Sequence, residues 1–208
     1  MIQLPSATTV GRVLPKEAFY QHLTLSGDLK EKFVADIKRI TLSNSLTAAT
    51  LNLEAGNEIN EILVLTVELK KQQFDGRIVE NIARQNPHKL LFLLRFEDKA
   101  QLAVYYGKLY TTAWVPDDEI TLQVKGFTLD AVWQGFLEQI ALRDSLTEVL
   151  PGEDFDTRLQ RQERILKLQK EIEKLEKRTQ SEVQPKKKFE LYRQLQELNK
   201  KLEDIENA

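Results

Sequence analysis

The chain has 208 residues, with 30 basic against 32 acidic, a balance unlike the clear basic excess of a dedicated polyanion binder. It has no cysteine, which removes disulfides, thiolate zinc sites, iron–sulfur clusters and cysteine nucleophiles together and fits a reducing, cytoplasmic setting. The N-terminus lacks the basic and apolar regions of a secretory signal. No stretch approaches the roughly 18 to 20 apolar residues that span a bilayer, so no membrane association is expected.

The opening segment carries Pro5, Gly11 and Pro15 and is expected to be irregular or briefly extended, with Pro15 starting a short helix. Leu29, Phe33, Ile37 and Ile40 recur at helical spacing, which predicts a helix over 28–41 capped by Asp28. Residues 50–54 alternate as a strand, and Gly56-Asn57 reads as a hairpin turn. Residues 59–70, rich in Ile, Val, Leu and Thr, predict a long strand. Ile78, Ile82 and Ala83 then predict a helix over 74–85, ended near Asn86-Pro87. Residues 89–96 are almost continuously apolar, the signature of a strand buried on both faces. A further strand is expected over 100–114, a turn at Pro116-Asp117-Asp118, a final strand over 119–125 and a helix over 129–150. This order predicts an α+β domain over 1–150, with helices packed on a mixed, mainly antiparallel sheet.

Pro151-Gly152 breaks the pattern, and residues 153–208 follow a different rule. Leu159, Ile165, Leu168, Ile172 and Leu175 form one apolar stripe, and Leu191, Leu195, Leu198, Leu202 and Ile205 form a second. Each stripe is only about three heptads long, so neither helix is stable alone in water. The short link over 180–186 predicts an antiparallel coiled-coil hairpin, with part of the seam open to a partner or a second copy.

Few residues suggest chemistry. Glu68-Leu69-Lys70 places an acid and a lysine on one face of a strand, as metal-dependent nucleases do, with Glu54, Glu58 or Glu61 as the upstream acid. Against this stand the missing Pro-Asp element and the ordinary habit of Glu-x-Lys to mark a strand entering solvent. His22 and His88 are far apart and lack ligand spacing, so no metal site is expected from them. No glycine-rich phosphate loop or nucleophile elbow occurs, and neither a cofactor nor a catalytic residue is expected. Lys186, Lys187 and Lys188, with Lys177 and Arg178, form the strongest basic cluster. It reads either as a salt-sensitive phosphate contact or as a solvated turn. Tyr105, Tyr106, Tyr110 and Trp114 read as packing on a sheet face, with a base-stacking platform as the lesser alternative.

The segments LPSATTVGRVLPKEAFY, EINEILVLTVELK, IARQNPHKLLFLLRF and KKKFELYRQLQELNKKLEDI resemble the bacterial domain of unknown function 4391 family (DUF4391). The resemblance covers nearly the whole chain, including the helical tail. It implies a gene neighbourhood containing a superfamily 2 helicase and a site-specific DNA methyltransferase, in clusters that look like restriction or anti-phage defence. The family offers no agreed catalytic residues to carry over. The resulting expectation is a non-enzymatic accessory protein whose hairpin docks on a helicase or methyltransferase partner, or on a second copy. Two alternatives remain: a magnesium-dependent nuclease using Glu61, Glu68 and Lys70, and nucleic-acid contact through Lys186–Lys188.

Overall fold

The computed structural model describes residues 2, 4–54, 56–142 and 152–206, and only the backbone of residues 20–22. The chain forms two compact units, Met1–Ala141 and Leu142–Ala208. The first contains β1 (Thr9–Leu14), α1 (Lys16–His22), α2 (Gly27–Asp36), β2 (Ile37–Leu46), α3 (Ala48–Leu51), β3 (Ile62–Leu69) and α4 (Arg77–Arg84). There follow β4 (Lys89–Phe96), β5 (Lys99–Tyr106), β6 (Lys108–Thr111), β7 (Val115–Pro116) and α5 (Leu129–Ala141). The strands make one seven-stranded sheet in the order β1-β2-β3-β4-β5-β6, with β7 on the far end of β5. Among the strand pairs of the described residues only β3 and β4 run parallel, and the segment carrying α4 supplies the crossover that a parallel pair requires. The unit is therefore α+β with a mixed, mainly antiparallel sheet, as the sequence predicts.

Burial explains why β3 and β4 lie at the centre. Leu65, Val67, Phe92 and Leu94 face a core shared with Phe33 of α2 and with Ile78 and Ile82 of α4. Residues of the opposite parity, Val64, Leu91, Leu93 and Val104, are also buried, so both sheet faces are covered. The run 89–96 coincides with β4.

Several expectations need correction. The helix predicted over 28–41 ends at Asp36, and Ile37 begins β2. The register of β2 on β3 shifts between Ile37 and Arg39, so Ile37 and Ile40 both point into the core at a spacing that mimics a helix. Ser26, not Asp28, caps α2 by accepting the Leu29 N–H. Residues 48–51 form α3 rather than a strand, with a capping box between Thr47 and Thr50. The strand predicted over 100–114 is folded in two at Gly107, whose φ of +69° suits a tight turn, so that Tyr106 pairs with Lys108. Residues 119–125 join no ladder. Of the helix predicted over 129–150, α5 accounts for 129–141, and residues 143–150 lie outside the described residues.

The second unit holds α6 (Phe155–Ser181) and α7 (Pro185–Glu206), packed on each other as a hairpin. Asp154 caps α6 through the Thr157 N–H at 2.8 Å, and Pro185 opens α7, where its missing N–H costs no helical bond. Ile165, Ile172, Leu175 and Thr179 of α6 are buried, and the Thr179 hydroxyl donates to the Leu175 carbonyl. Leu168 on α6 and Leu191, Leu195, Leu198, Leu202 and Ile205 on α7 are half-buried. The predicted seam is thus present, with Thr179 as one further position. No helix among the described residues is long and apolar enough to cross a membrane.

Candidate functional site

Two places bring predicted residues together. The first is the carboxyl end of β3 and β4, where open sheets commonly build binding crevices. Here β2 and β3 set Arg39 opposite Glu68, and the Arg39 guanidinium binds the Glu68 carboxylate through Nε at 2.7 Å and through its second nitrogen. Lys38 adds a contact at 3.5 Å. Burial opposes ionisation of Glu68, but Arg39 and Lys38 outweigh it and hold the carboxyl below its ordinary range. Beside it, Arg95 of β4 is held by Asp117 at 2.9 Å.

Lys70 has a different task. Its ammonium donates to the Val34 carbonyl at 2.8 Å and Lys16 donates to the Ile37 carbonyl, so both cations satisfy the carboxyl end of α2. Burial, and then the nearby charge of Lys70, lowers the Lys16 pKa. Buried Asp36 accepts the Asp75 N–H at 2.9 Å and meets the Lys71 ammonium at 2.7 Å. The acid and lysine that suggest a nuclease in sequence are therefore occupied by separate cations and carbonyls. Glu61, the upstream acid, precedes β3 at its other end, roughly 23 Å away at strand rise. There it accepts from Ser45 and lies 3.4 Å from the His88 imidazole. Glu54 is tied through its backbone to Phe127 and Thr128. Among the described residues no group of three His, Cys, Asp or Glu side chains is placed to hold a metal. The side chain of His22 lies outside the described residues. Of the aromatic group, Tyr105 and Tyr106 lie on β5 and Tyr110 on β6, with the Lys108 ammonium 5.0 Å from the Tyr110 ring centre.

The second place is the hairpin tip. Arg178 lies in the last turn of α6, where a cation complements the helix dipole, and Lys177 just before it pairs with Glu173 at 2.6 Å. Lys186, Lys187 and Lys188, by contrast, fall in the first turn of α7, where the dipole disfavours positive charge. A solvated turn with a dipole-matched cation therefore describes the α6 end but not the α7 end. Beside these lysines, Val183 is 89% exposed, Phe189 68% and Tyr192 52%. Phe189 lies two residues before seam position Leu191, about 160° round the helix, and Tyr192 one after it, about 100° round, which places Phe189 opposite the seam and Tyr192 on its flank. Lys186, Glu190 and Arg193 flank Phe189 in a shallow depression along this face. The sequence reading missed Phe189, Tyr192 and Val183. The available signal was two aromatics out of register with the leucine stripe.

A family model described as "Domain of unknown function (DUF4391)" matches residues 2–202. Comparison with curated proteins and with solved structures gives no match. Spanning both the sheet unit and nearly all of the hairpin, the match shows that the chain belongs to the DUF4391 family.

Proposed function

We propose that the protein is a non-enzymatic accessory subunit that docks through its helical hairpin on a larger protein partner. The supporting observation is the outer face of α7, where Phe189 and Tyr192 stand in solvent beside Lys186 and Arg193, on a helix with no buried residue. Exposed aromatics interleaved with cations are the composition of interface anchors and contribute little to the hairpin's own stability. The family resemblance points to a helicase or DNA methyltransferase subunit of a bacterial restriction or anti-phage system as that partner, within the cytoplasm. The test is co-purification of the tagged chain with the products of neighbouring genes. The Phe189→Ala/Tyr192→Ala variant is expected to lose the partner while keeping its helical content. Retention of the partner by this variant, and by a chain lacking 153–208, rejects the docking role.

A second reading rests on the placement of Lys186–Lys188 against the α7 dipole, which favours an anion at the tip. It predicts nucleic-acid binding that weakens steeply with salt, and a shallower salt slope when the three lysines are changed to alanine. Binding with an unaltered slope in that variant assigns the contact elsewhere.

A further inference from the structure

Residues 119–125 show the burial of a strand without its ladder. Ile120 and Leu122 are buried at 4% and 6% exposure and Val124 is half-buried, while Glu119, Thr121, Gln123 and Lys125 are exposed. That alternation marks an extended chain with one face seated on the core. In an extended chain, successive residues direct their N–H and C=O groups to opposite edges. Gln123 uses one edge: its N–H donates to the Gln139 side chain of α5 at 2.9 Å, and its carbonyl accepts from the same amide at 2.8 Å. A side-chain amide thus stands in for a neighbouring strand there. Ile120, Leu122 and Val124 direct their groups to the other edge, where they have no hydrogen-bond partner among the described residues. This edge opens onto a groove lined by Pro5, Asp118 and residues 120–124.

We infer that this edge pairs with the same edge of a second copy, antiparallel about Leu122. The sequence is self-complementary in that register. Leu122 meets Leu122 and Ile120 meets Val124 as hydrogen-bonded pairs, which uses the unpaired groups and leaves the Gln139 contact intact. On the exposed face Thr121 then lies opposite Gln123, and Glu119 opposite Lys125, so each two-fold-related pair of ends carries opposite charges. Neither Glu119 nor Lys125 has a side-chain partner among the described residues of the isolated chain. A two-fold contact also closes on itself, whereas pairing this edge with β1 of another copy would be heterologous and open-ended. Strand β1 is moreover a poor template, because its register shifts between Thr9 and Arg12 around Gly11 at φ +67°.

Sedimentation of the full chain over a concentration series tests this pairing. The expected result is a reversible dimer, weak because one short ladder is a small interface, with a Kd in roughly the micromolar to hundred-micromolar range. Lys125→Glu sets like charges opposite each other and is expected to weaken the dimer by about tenfold, and adding Glu119→Lys restores it. Both positions are exposed, so folding is retained, and the thermal transition checks that it is. Hydrogen exchange supplies the signature that general association lacks: the amides of Ile120, Leu122 and Val124 slow with concentration, while those of Thr121 and Lys125 do not. A monomer throughout, a dimer unmoved by Lys125→Glu, a swap that fails to restore it, or uniform protection along 119–125 overturns the inference.

Discussion

Strands β3 and β4 carry apolar side chains on both faces with both faces covered, whereas α7 confines its leucines to one stripe and has no buried residue. The contrast separates two uses of apolar surface. In the sheet unit most large apolar side chains have a place in the core, and the exposed ones are scattered singly: Val10 and Val13 on β1, Val34 on α2, Tyr106 at the end of β5 and Phe127 in a loop. In the hairpin the seam holds two helices together, and the aromatics beyond it add exposed surface without adding packing. Stability and recognition are therefore expected to respond to different substitutions. The two tryptophans, Trp114 and Trp133, both lie in the sheet unit, so their fluorescence follows that unit while helical circular dichroism is weighted towards the hairpin.

The largest effect is expected from Phe92→Ala. Phe92 is fully buried in β4, at the centre of the core between the sheet and helices α2 and α4. Its removal is expected to cost about 3–5 kcal/mol, read as a shifted denaturant midpoint in tryptophan fluorescence. A loss within about 1 kcal/mol, on the same principle, places the core elsewhere.

Ile172→Asp acts on the other unit. Ile172 is buried in the α6 seam, and a carboxylate there lacks a partner on the apolar stripe of α7. A loss of about 2–4 kcal/mol is expected for the hairpin, seen as reduced helical signal at unchanged tryptophan midpoint. A matching shift in fluorescence shows instead that the two units unfold together.

A smaller and pH-dependent effect is expected at Asp75, which joins the turn before α4 to α2. Arg77 hydrogen-bonds its carboxylate, burial opposes ionisation, and Lys32 at 2.9 Å helps to hold its pKa well below the ordinary carboxylate range. A depressed folded-state pKa stabilises the fold above the unfolded carboxylate pKa of about 3.9 and loses that contribution as pH falls through the folded value. Asp75→Asn is therefore expected to cost about 1 kcal/mol at neutral pH, because Asp75 is largely covered but its cationic partners are half exposed. The gap from the parent chain closes as the medium becomes strongly acidic. A gap that stays constant across an acid titration removes the ion pairs from the explanation.

What the sequence makes legible follows from these same differences. β4 can be read to the residue because a strand buried on both faces leaves an uninterrupted apolar run between turn residues. Ile37 and Ile40 mislead because a bulge gives a strand a helical spacing, and bulges arise from pairing with a neighbour distant in sequence. The seam of α6 and α7 is legible because its period is local. Glu68 and Lys70 look like a catalytic pair because two-residue spacing shows a shared face but not what lies opposite. Arg39 and the end of α2 meet them only through tertiary structure. Residues 119–125 alternate like a strand yet join no ladder, because a pattern of side chains says nothing about whether the backbone has a neighbour.

The smallest effect on stability belongs to the substitution of greatest functional interest. Phe189 and Tyr192 are 68% and 52% exposed, and Phe189→Ala/Tyr192→Ala is expected to change the hairpin's stability by no more than about 0.5 kcal/mol. Alanine has the higher helix propensity, so the change can be slightly stabilising. The same variant is expected to lose partner retention in co-purification, since central aromatic anchors commonly contribute about 2 kcal/mol or more to an interface. Stability and binding must therefore separate at these two positions. If the helical signal falls along with partner retention, the rings are part of the hairpin's own packing and the docking face lies elsewhere. If neither moves, α7 is a structural strut, and the lysines of its first turn become the remaining candidates at the tip.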